Sequence, residues 1–143
     1  MQLKDIMTRE TETCRPDATL VEVSQQLKQR NIGSLPVCDG DKLVGMLTDR
    51  DIVVRGIGEK RDPNATRVRD IMSQEVAWAF EDQDIRDAAK VMEQKKVRRL
   101  PILNRSNRLV GIISIDDLAA RARQVEKLAG EVLSQIAESG GIR

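Results

Sequence analysis

The chain has no histidine and no tyrosine, and it carries one Trp, one Phe and two Cys in 143 residues. Each shortage removes classes of function. Without His the commonest general base is gone, and with it the serine or cysteine triad and most transition-metal sites. With so few aromatics there are few platforms for stacking single-stranded nucleic acid. Cys14 and Cys38 are not spaced as C-x-x-C, which disfavours a redox or zinc motif, and both read as buried thiols. Charge of one sign is also lacking: 24 Lys plus Arg against 23 Asp plus Glu leave a net +1, so no bulk field points to nucleic acid or a membrane. Apolar runs are short and broken by charge, and the opening segment MQLKDIMTRE has no basic-then-apolar leader. The expectation is a cytoplasmic protein with no spanning helix and no membrane partner. The length suits one ordinary domain or two very small ones.

What the chain does have is internal repetition, which outranks local propensity as a guide to architecture. Lys4-Asp5-Ile6-Met7 recurs as Arg69-Asp70-Ile71-Met72, a shift of 72 minus 7, or 65 residues. Leu35-Pro36-Val37 recurs at that shift as Leu100-Pro101-Ile102, and Leu43-Val44-Gly45 one residue later as Leu109-Val110-Gly111. The inserted residue falls between Asp39-Gly40-Asp41 and its counterpart Asn104 to Asn107, where a turn absorbs it.

Each copy reads as helix, strand, strand, helix. Thr19-x-x-Glu22 is a capping box ahead of Leu20, Val23 and Leu27, and Asp84-x-x-Asp87 stands ahead of Ile85, Ala88 and Met92. The runs 34–38 and 42–48, joined by an Asp-Gly turn, predict a hairpin that 99–103 and 108–114 repeat. A further helix follows each hairpin; in copy one Gly56 and Gly58 are expected to stop it before a polar stretch with Asp62-Pro63-Asn64. The division is 1–58 for repeat 1, 59–67 for a linker, 68–120 for repeat 2 and 121–143 for a helical extension. A unit of roughly 60 residues buries only about 60% of its unfolded surface, so two units packed sheet to sheet are expected, with a pseudo-two-fold cleft between them. The fold class is α+β.

Four elements in order, twice, resemble the tandem CBS-domain family: the D-I-M openings, the L-P-hydrophobic strands, and the segments Gly45-Met46-Leu47-Thr48-Asp49-Arg50-Asp51 and Gly111-Ile112-Ile113-Ser114-Ile115-Asp116-Asp117. The pair is similar to the repeats of the AMP-activated kinase gamma subunit and to stand-alone bacterial modules. The resemblance implies a regulatory module that binds an adenine nucleotide of the AMP, ADP or ATP class, requires no cofactor and catalyses nothing. In chemical terms, Thr48 and Ser114 sit where a strand becomes a helix, so a hydroxyl and free backbone N–H groups would meet a phosphate. Asp51 and Asp117 offer carboxylates one turn on, suited to ribose hydroxyls. Helix capping alone would select the same residues.

The resemblance further implies that the two repeats exchange across the cleft. One site would combine Met46, Thr48 and Asp51 with Val76, Ala77, Val97, Arg98 and Arg99; the other would combine Ile112, Ser114 and Asp117 with Thr11, Ile32 and Gly33. Backbone groups beside the apolar residues would read the adenine edge. Arg98 and Arg99 stand where the other copy has Gly33 and Ser34, so their site should prefer the more phosphorylated ligand, unless surface carboxylates hold the guanidiniums. Trp78 stands at the position of Thr13, where it lines the adenine pocket, narrows it, or fills the core.

Beyond Asp117 the last helix is expected to run to about Ser139, before Gly140-Gly141. Leu118, Ala122, Val125, Ala129, Val132 and Ile136 step by 4, 3, 4, 3, 4, a coiled-coil-like stripe weakened by Gly130 and suited to a homodimer. With no effector domain in the chain, a separate partner protein would be regulated. Two other classes compete. An enzyme could hold magnesium on Asp51 or Asp117, but no acid and base set surrounds either. An oligomerisation scaffold or nucleic-acid binder would leave both clefts empty.

Overall fold

The computed structural model of the chain describes residues 1–138. After a 3₁₀ turn over Leu3–Asp5 the elements are α1 (Leu20–Arg30), β1 (Ser34–Asp39), β2 (Lys42–Thr48), α2 (Asp49–Asp51), α3 (Val68–Ile71), β3 (Ala79–Phe80), α4 (Ile85–Lys95), β4 (Arg99–Leu103), β5 (Leu109–Ser114) and α5 (Ile115–Glu138). Both capping boxes form. Thr19 Oγ1 accepts from the Glu22 N–H at 3.2 Å, and Asp84 Oδ1 accepts from the Arg86 N–H at 2.9 Å. The faces they open are the expected ones, with Leu20, Val23 and Leu27 buried on α1 and Ala88 and Met92 on α4. Asn31 and Lys96 close the two helices in the left-handed conformation.

The hairpins are built alike. β1 pairs antiparallel with β2, Leu35 opposite Leu47 and Val37 opposite Gly45; β4 pairs with β5, Leu100 opposite Ile113 and Ile102 opposite Gly111. A bulge interrupts each at the same place, between Val37 and Cys38 and between Ile102 and Leu103. β3 adds a parallel strand to the second sheet, whereas its counterpart in repeat 1 is a single bridge from Cys14 to Val37. The result is α+β, two small sheets with flanking helices, as the repeats imply.

The cores are crossed. Val68 and Ile71, from the second D-I-M segment, lie among Leu20, Val23, Leu35, Val37 and Leu47 of repeat 1. Leu3 and Met7, from the first, lie among Ala88, Met92, Leu100, Ile102 and Ile113 of repeat 2. Each sequence unit thus lends its opening segment to the other, which makes the two halves one cooperative body. Gly45 and Gly111 make this possible. A Cβ on Gly45 would stand 2.6 Å from Met72 Sδ and 2.9 Å from the Ser73 carbonyl; on Gly111, 2.7 Å from Met7 Sδ and 2.8 Å from the Thr8 carbonyl. The hairpin tips also meet, Arg108 Nη1 donating to Asp41 Oδ2 at 2.6 Å.

Two expectations need correction. Gly56 and Gly58 do not stop the helix of repeat 1. The chain continues from α2 through a π-helical turn, Ile52–Gly56, and a 3₁₀ turn, Ile57–Glu59, and ends at Lys60 in the left-handed conformation. Gly56 is buried for a different reason: a Cβ there would lie 2.9 Å from Leu20 Cδ1. Trp78 does not fill the core, being 41% exposed. It packs edge to face on Phe80 with ring centroids 4.7 Å apart, and Arg105 lies 4.0 Å above the Phe80 ring. α5 is described as far as Glu138, so Ser139, Gly140 and Gly141 lie outside the described residues. Among the described residues no helix is long and apolar enough to cross a membrane.

Candidate functional site

The two strand-to-helix turns are nearly identical. Asp51 Oδ2 accepts from the Thr48 N–H at 2.9 Å while Thr48 Oγ1 accepts from the Asp51 N–H at 3.1 Å. Asp117 Oδ2 and Ser114 Oγ repeat both bonds at the same 2.9 and 3.1 Å. All four residues are half-buried. The capping role is therefore real, but it consumes one carboxylate oxygen of each Asp. The other, Oδ1, accepts no hydrogen bond among the described residues, and each hydroxyl keeps its own proton to donate.

The free N–H groups expected at these helix starts are mostly taken. Besides the capping bonds, the Asp49 N–H donates to the Gly33 carbonyl at 2.9 Å and the Arg50 N–H to Asp49 Oδ1 at 2.8 Å. In repeat 2 the Ile115 N–H donates to the Arg98 carbonyl at 2.8 Å, which leaves the Asp116 N–H without a partner among the described residues. The carbonyl just before the neighbouring strand and, at Arg50, a local Asx contact occupy these donors. Any phosphate here must then be met largely by side chains.

The contacts between repeats run through the strands. Met46 exchanges two backbone hydrogen bonds with Ser73, both 2.9 Å, which brings the stretch leading to half-buried Val76 and Ala77 alongside β2. Ile112 exchanges two with Thr8, again 2.9 Å each, which brings the stretch leading to Thr11 alongside β5. Ile32 and Gly33 lie beside Thr48 of their own repeat, since Ser34 pairs with Thr48 and the Gly33 carbonyl binds the Asp49 N–H. Likewise Val97, Arg98 and Arg99 lie beside Ser114, through the Arg99 and Ser114 pair and the bond from Ile115 to Arg98. No hydrogen bond joins 97–99 to Thr48 or Asp51, or 32–33 to Ser114 or Asp117, among the described residues. Arg98 and Arg99 are exposed, and neither makes an ion pair among the described residues. They are available to a ligand.

Two depressions lie elsewhere on the surface, neither of them lined by Thr48, Asp51, Ser114 or Asp117. A cavity of about 190 Å³ is lined by Thr11 together with Arg9, Thr13, Cys38, Asp41 and Gly111, between the early segment of repeat 1 and β5. A more open groove of about 480 Å³ runs between the early segment and α1, with Arg15, Arg67, Asp17 and Glu22 on its walls. Sequence reasoning missed this groove. Thr13 and Arg15 on its walls correspond to Trp78 and Phe80 in repeat 2, a difference that by itself does not reveal a groove. Both cysteines are buried as expected. Burial, reinforced by the other thiol, pushes Cys14 up to about 12, and burial with Asp41 nearby pushes Cys38 up to about 11, so neither is a nucleophile at neutral pH. Among the described residues no group of three or more His, Cys, Asp or Glu is placed to hold a metal ion.

Comparison with known proteins fits this geometry. The family model for the CBS domain matches residues 3–57 and again 68–123. The chain is 40% identical over 134 residues to the CBS domain-containing protein YhcV of Bacillus subtilis, covering 94% of each. It is 36% identical over 117 residues to hypoxic response protein 1 of Mycobacterium tuberculosis, covering 81% of each. A crystal structure of hypoxic response protein I with two coordinated zinc ions superposes with a TM-score of 0.77 at 35% identity, over 84% of this chain and 98% of that one. The CBS domain pair of protein MJ0100, in complex with 5′-methylthioadenosine and S-adenosyl-L-methionine, gives 0.75 at 26% identity, over 87% and 97%. The crossed cores, the doubled strand-to-helix turns and these matches agree: the chain belongs to the CBS-domain family, as a tandem pair of repeats.

Proposed function

We propose that the chain is a cytoplasmic regulatory module that binds adenine nucleotides of the AMP, ADP or ATP class between its repeats and passes that state to a separate partner protein. The observation that carries this reading is the pair of half-buried turns at Thr48/Asp51 and Ser114/Asp117, each with a free carboxylate oxygen and a free hydroxyl proton. A ribose diol donates to such an oxygen, and a phosphate accepts from such a hydroxyl. The related MJ0100 pair holds two adenosine compounds, which supports the ligand class. One site combines Met46, Thr48 and Asp51 with Val76, Ala77, Val97, Arg98 and Arg99. The other combines Ile112, Ser114 and Asp117 with Thr11, Ile32 and Gly33. Because the N–H groups at the helix start after Thr48 are taken, Arg98 and Arg99 become the main phosphate ligands of the first site, which prefers the more phosphorylated nucleotide. The module needs no cofactor, performs no chemistry and works as a homodimer.

A second reading draws on the same turns. Both capping boxes are complete without a ligand, which is what an oligomerisation scaffold or nucleic-acid binder with empty clefts would need. A thermal-shift screen of adenosine, AMP, ADP, ATP and S-adenosylmethionine separates the two. A compound at 100 times its dissociation constant adds about 2.7 kcal/mol to native stability, so the expected result is a rise of several degrees for at least one. No shift for any of them at millimolar concentration would favour the scaffold.

A further inference from the structure

Most of α5 lies beyond the body of the protein. Leu118 packs on the repeat 2 core, but the apolar stripe it begins continues outward uncovered: Val125 is 58% exposed, Leu128 61%, Val132 46% and Leu133 57%. An isolated helix that exposes such a face is poorly stable in water and calls for a partner along the seam. Resting on the homodimer reading above, we infer that this seam pairs with the α5 of a second copy, in parallel and in register.

The charge pattern fixes the direction. With Ala122 and Ala129 at the a positions and Val125 and Val132 at the d positions, Arg121 and Leu128 fall at g and Glu126 and Leu133 at e. In a parallel pair each g residue faces the e residue five positions on in the other helix. Arg121 then meets Glu126 of the second copy, and Leu128 meets Leu133 of the second copy, each contact occurring twice by symmetry. Charge meets opposite charge, and apolar meets apolar. Within one helix Arg121 and Glu126 cannot meet, because five residues turn them onto different faces. Neither makes an ion pair among the described residues; Arg121 Nη1 donates to Gln124 Oε1 at 3.0 Å, while its Nε has no hydrogen-bond partner there. An antiparallel pair of the same seam would centre on Lys127. It would bring the two Glu126 carboxylates onto one shared edge within about 3 Å of rise of each other, like charge against like.

The test begins with sedimentation equilibrium of the full chain and continues with oxidation of Val132→Cys, the native thiols being buried at 6% and 3% exposure. A parallel pair sets position 132 against itself, so Val132→Cys should cross-link to a covalent dimer. In an antiparallel pair position 132 faces 122, about 15 Å from its own twin, so only a mixture of Val132→Cys with Ala122→Cys would cross-link. Glu126→Arg should weaken the dimer about two- to fivefold, and adding Arg121→Glu should restore it. A dimer that fails to cross-link through Val132→Cys, or that cross-links only in the mixture, overturns the parallel seam and leaves the homodimer standing. A monomer at every concentration removes the homodimer reading and the seam with it.

Discussion

The two repeats have matching cores, hairpin registers and strand-to-helix turns but differ just before the first hairpin strand, in the early segment and after the hairpin. Leu35, Val37 and Leu47 have counterparts in Leu100, Ile102 and Ile113, all fully buried, and the Gly45 and Gly111 contacts match to within a tenth of an ångström at the methionine sulfur. Just before the hairpin, Gly33 and Ser34 stand against Arg98 and Arg99; in the early segment Thr13 and Arg15 stand against Trp78 and Phe80. After the hairpin, repeat 1 has a broken helix ending at Lys60, and repeat 2 has a helix of 24 residues. What the fold requires is thus held in common. Under the proposed function, selectivity for ligand and partner would reside where the repeats part.

The two crossings can be disrupted separately at Gly45 and Gly111. Gly45→Ala and Gly111→Ala each force a methyl into another repeat's backbone carbonyl and methionine, and each should destabilise by about 1–3 kcal/mol. Thermal denaturation should place the two variants close together and below the wild type by several degrees. Widely different losses would mean that the two crossings are not equivalent. A smaller difference lies in the helix caps. Asp84 caps α4, and the Arg86 N–H and guanidinium hold its carboxyl at about 2, with the N-terminal ammonium assisting; the corresponding cap in repeat 1 is Thr19, which does not titrate. A carboxyl lowered on folding stabilises above its unfolded value near 4 and loses that contribution as pH falls through about 2. Hydrogen exchange between pH 4 and pH 2 should therefore show the first turn of α4 opening before that of α1. Because the Asp84 side chain is still 34% exposed, the effect should shrink in high salt. Simultaneous opening would remove this distinction.

Much of the fold was legible because repetition identifies the positions that packing fixes. The shift between Leu35-Pro36-Val37 and Leu100-Pro101-Ile102 located both hairpins, and the spacing from Thr19 to Glu22 located a helix start. The crossing of Met7 and Met72 into the opposite cores was not legible from local pattern, because period and propensity describe neighbours in the chain rather than neighbours in space. Gly56 misled for a related reason: a glycine kept for the approach of Leu20 looks in sequence like a helix stop. Of the three readings open for Trp78, filling the core is excluded, because Phe80 and Arg105 hold it in a surface stack that local sequence does not announce. At the candidate site the residue types at Thr48, Asp51, Ser114 and Asp117 were readable, but the engagement of the N–H groups was not. It depends on the carbonyls of Gly33 and Arg98, which only the hairpin register brings alongside.

Whether the carboxylate oxygens left free by capping bind nucleotide is decided by calorimetric titration with adenosine, AMP and ATP. Asp51→Asn and Asp117→Asn keep the oxygen that caps the helix and replace the free acceptor with a donor, so the fold should survive while ribose recognition weakens. Each single variant should lose one site, and the double variant both, with a loss of about 1.5–3 kcal/mol per site. Arg98→Ala should weaken ATP by a similar amount and leave adenosine unchanged, because the nucleoside has no phosphate for the guanidinium to bind. Unchanged nucleotide affinity in Asp51→Asn/Asp117→Asn would contradict the account and reduce both turns to helix caps.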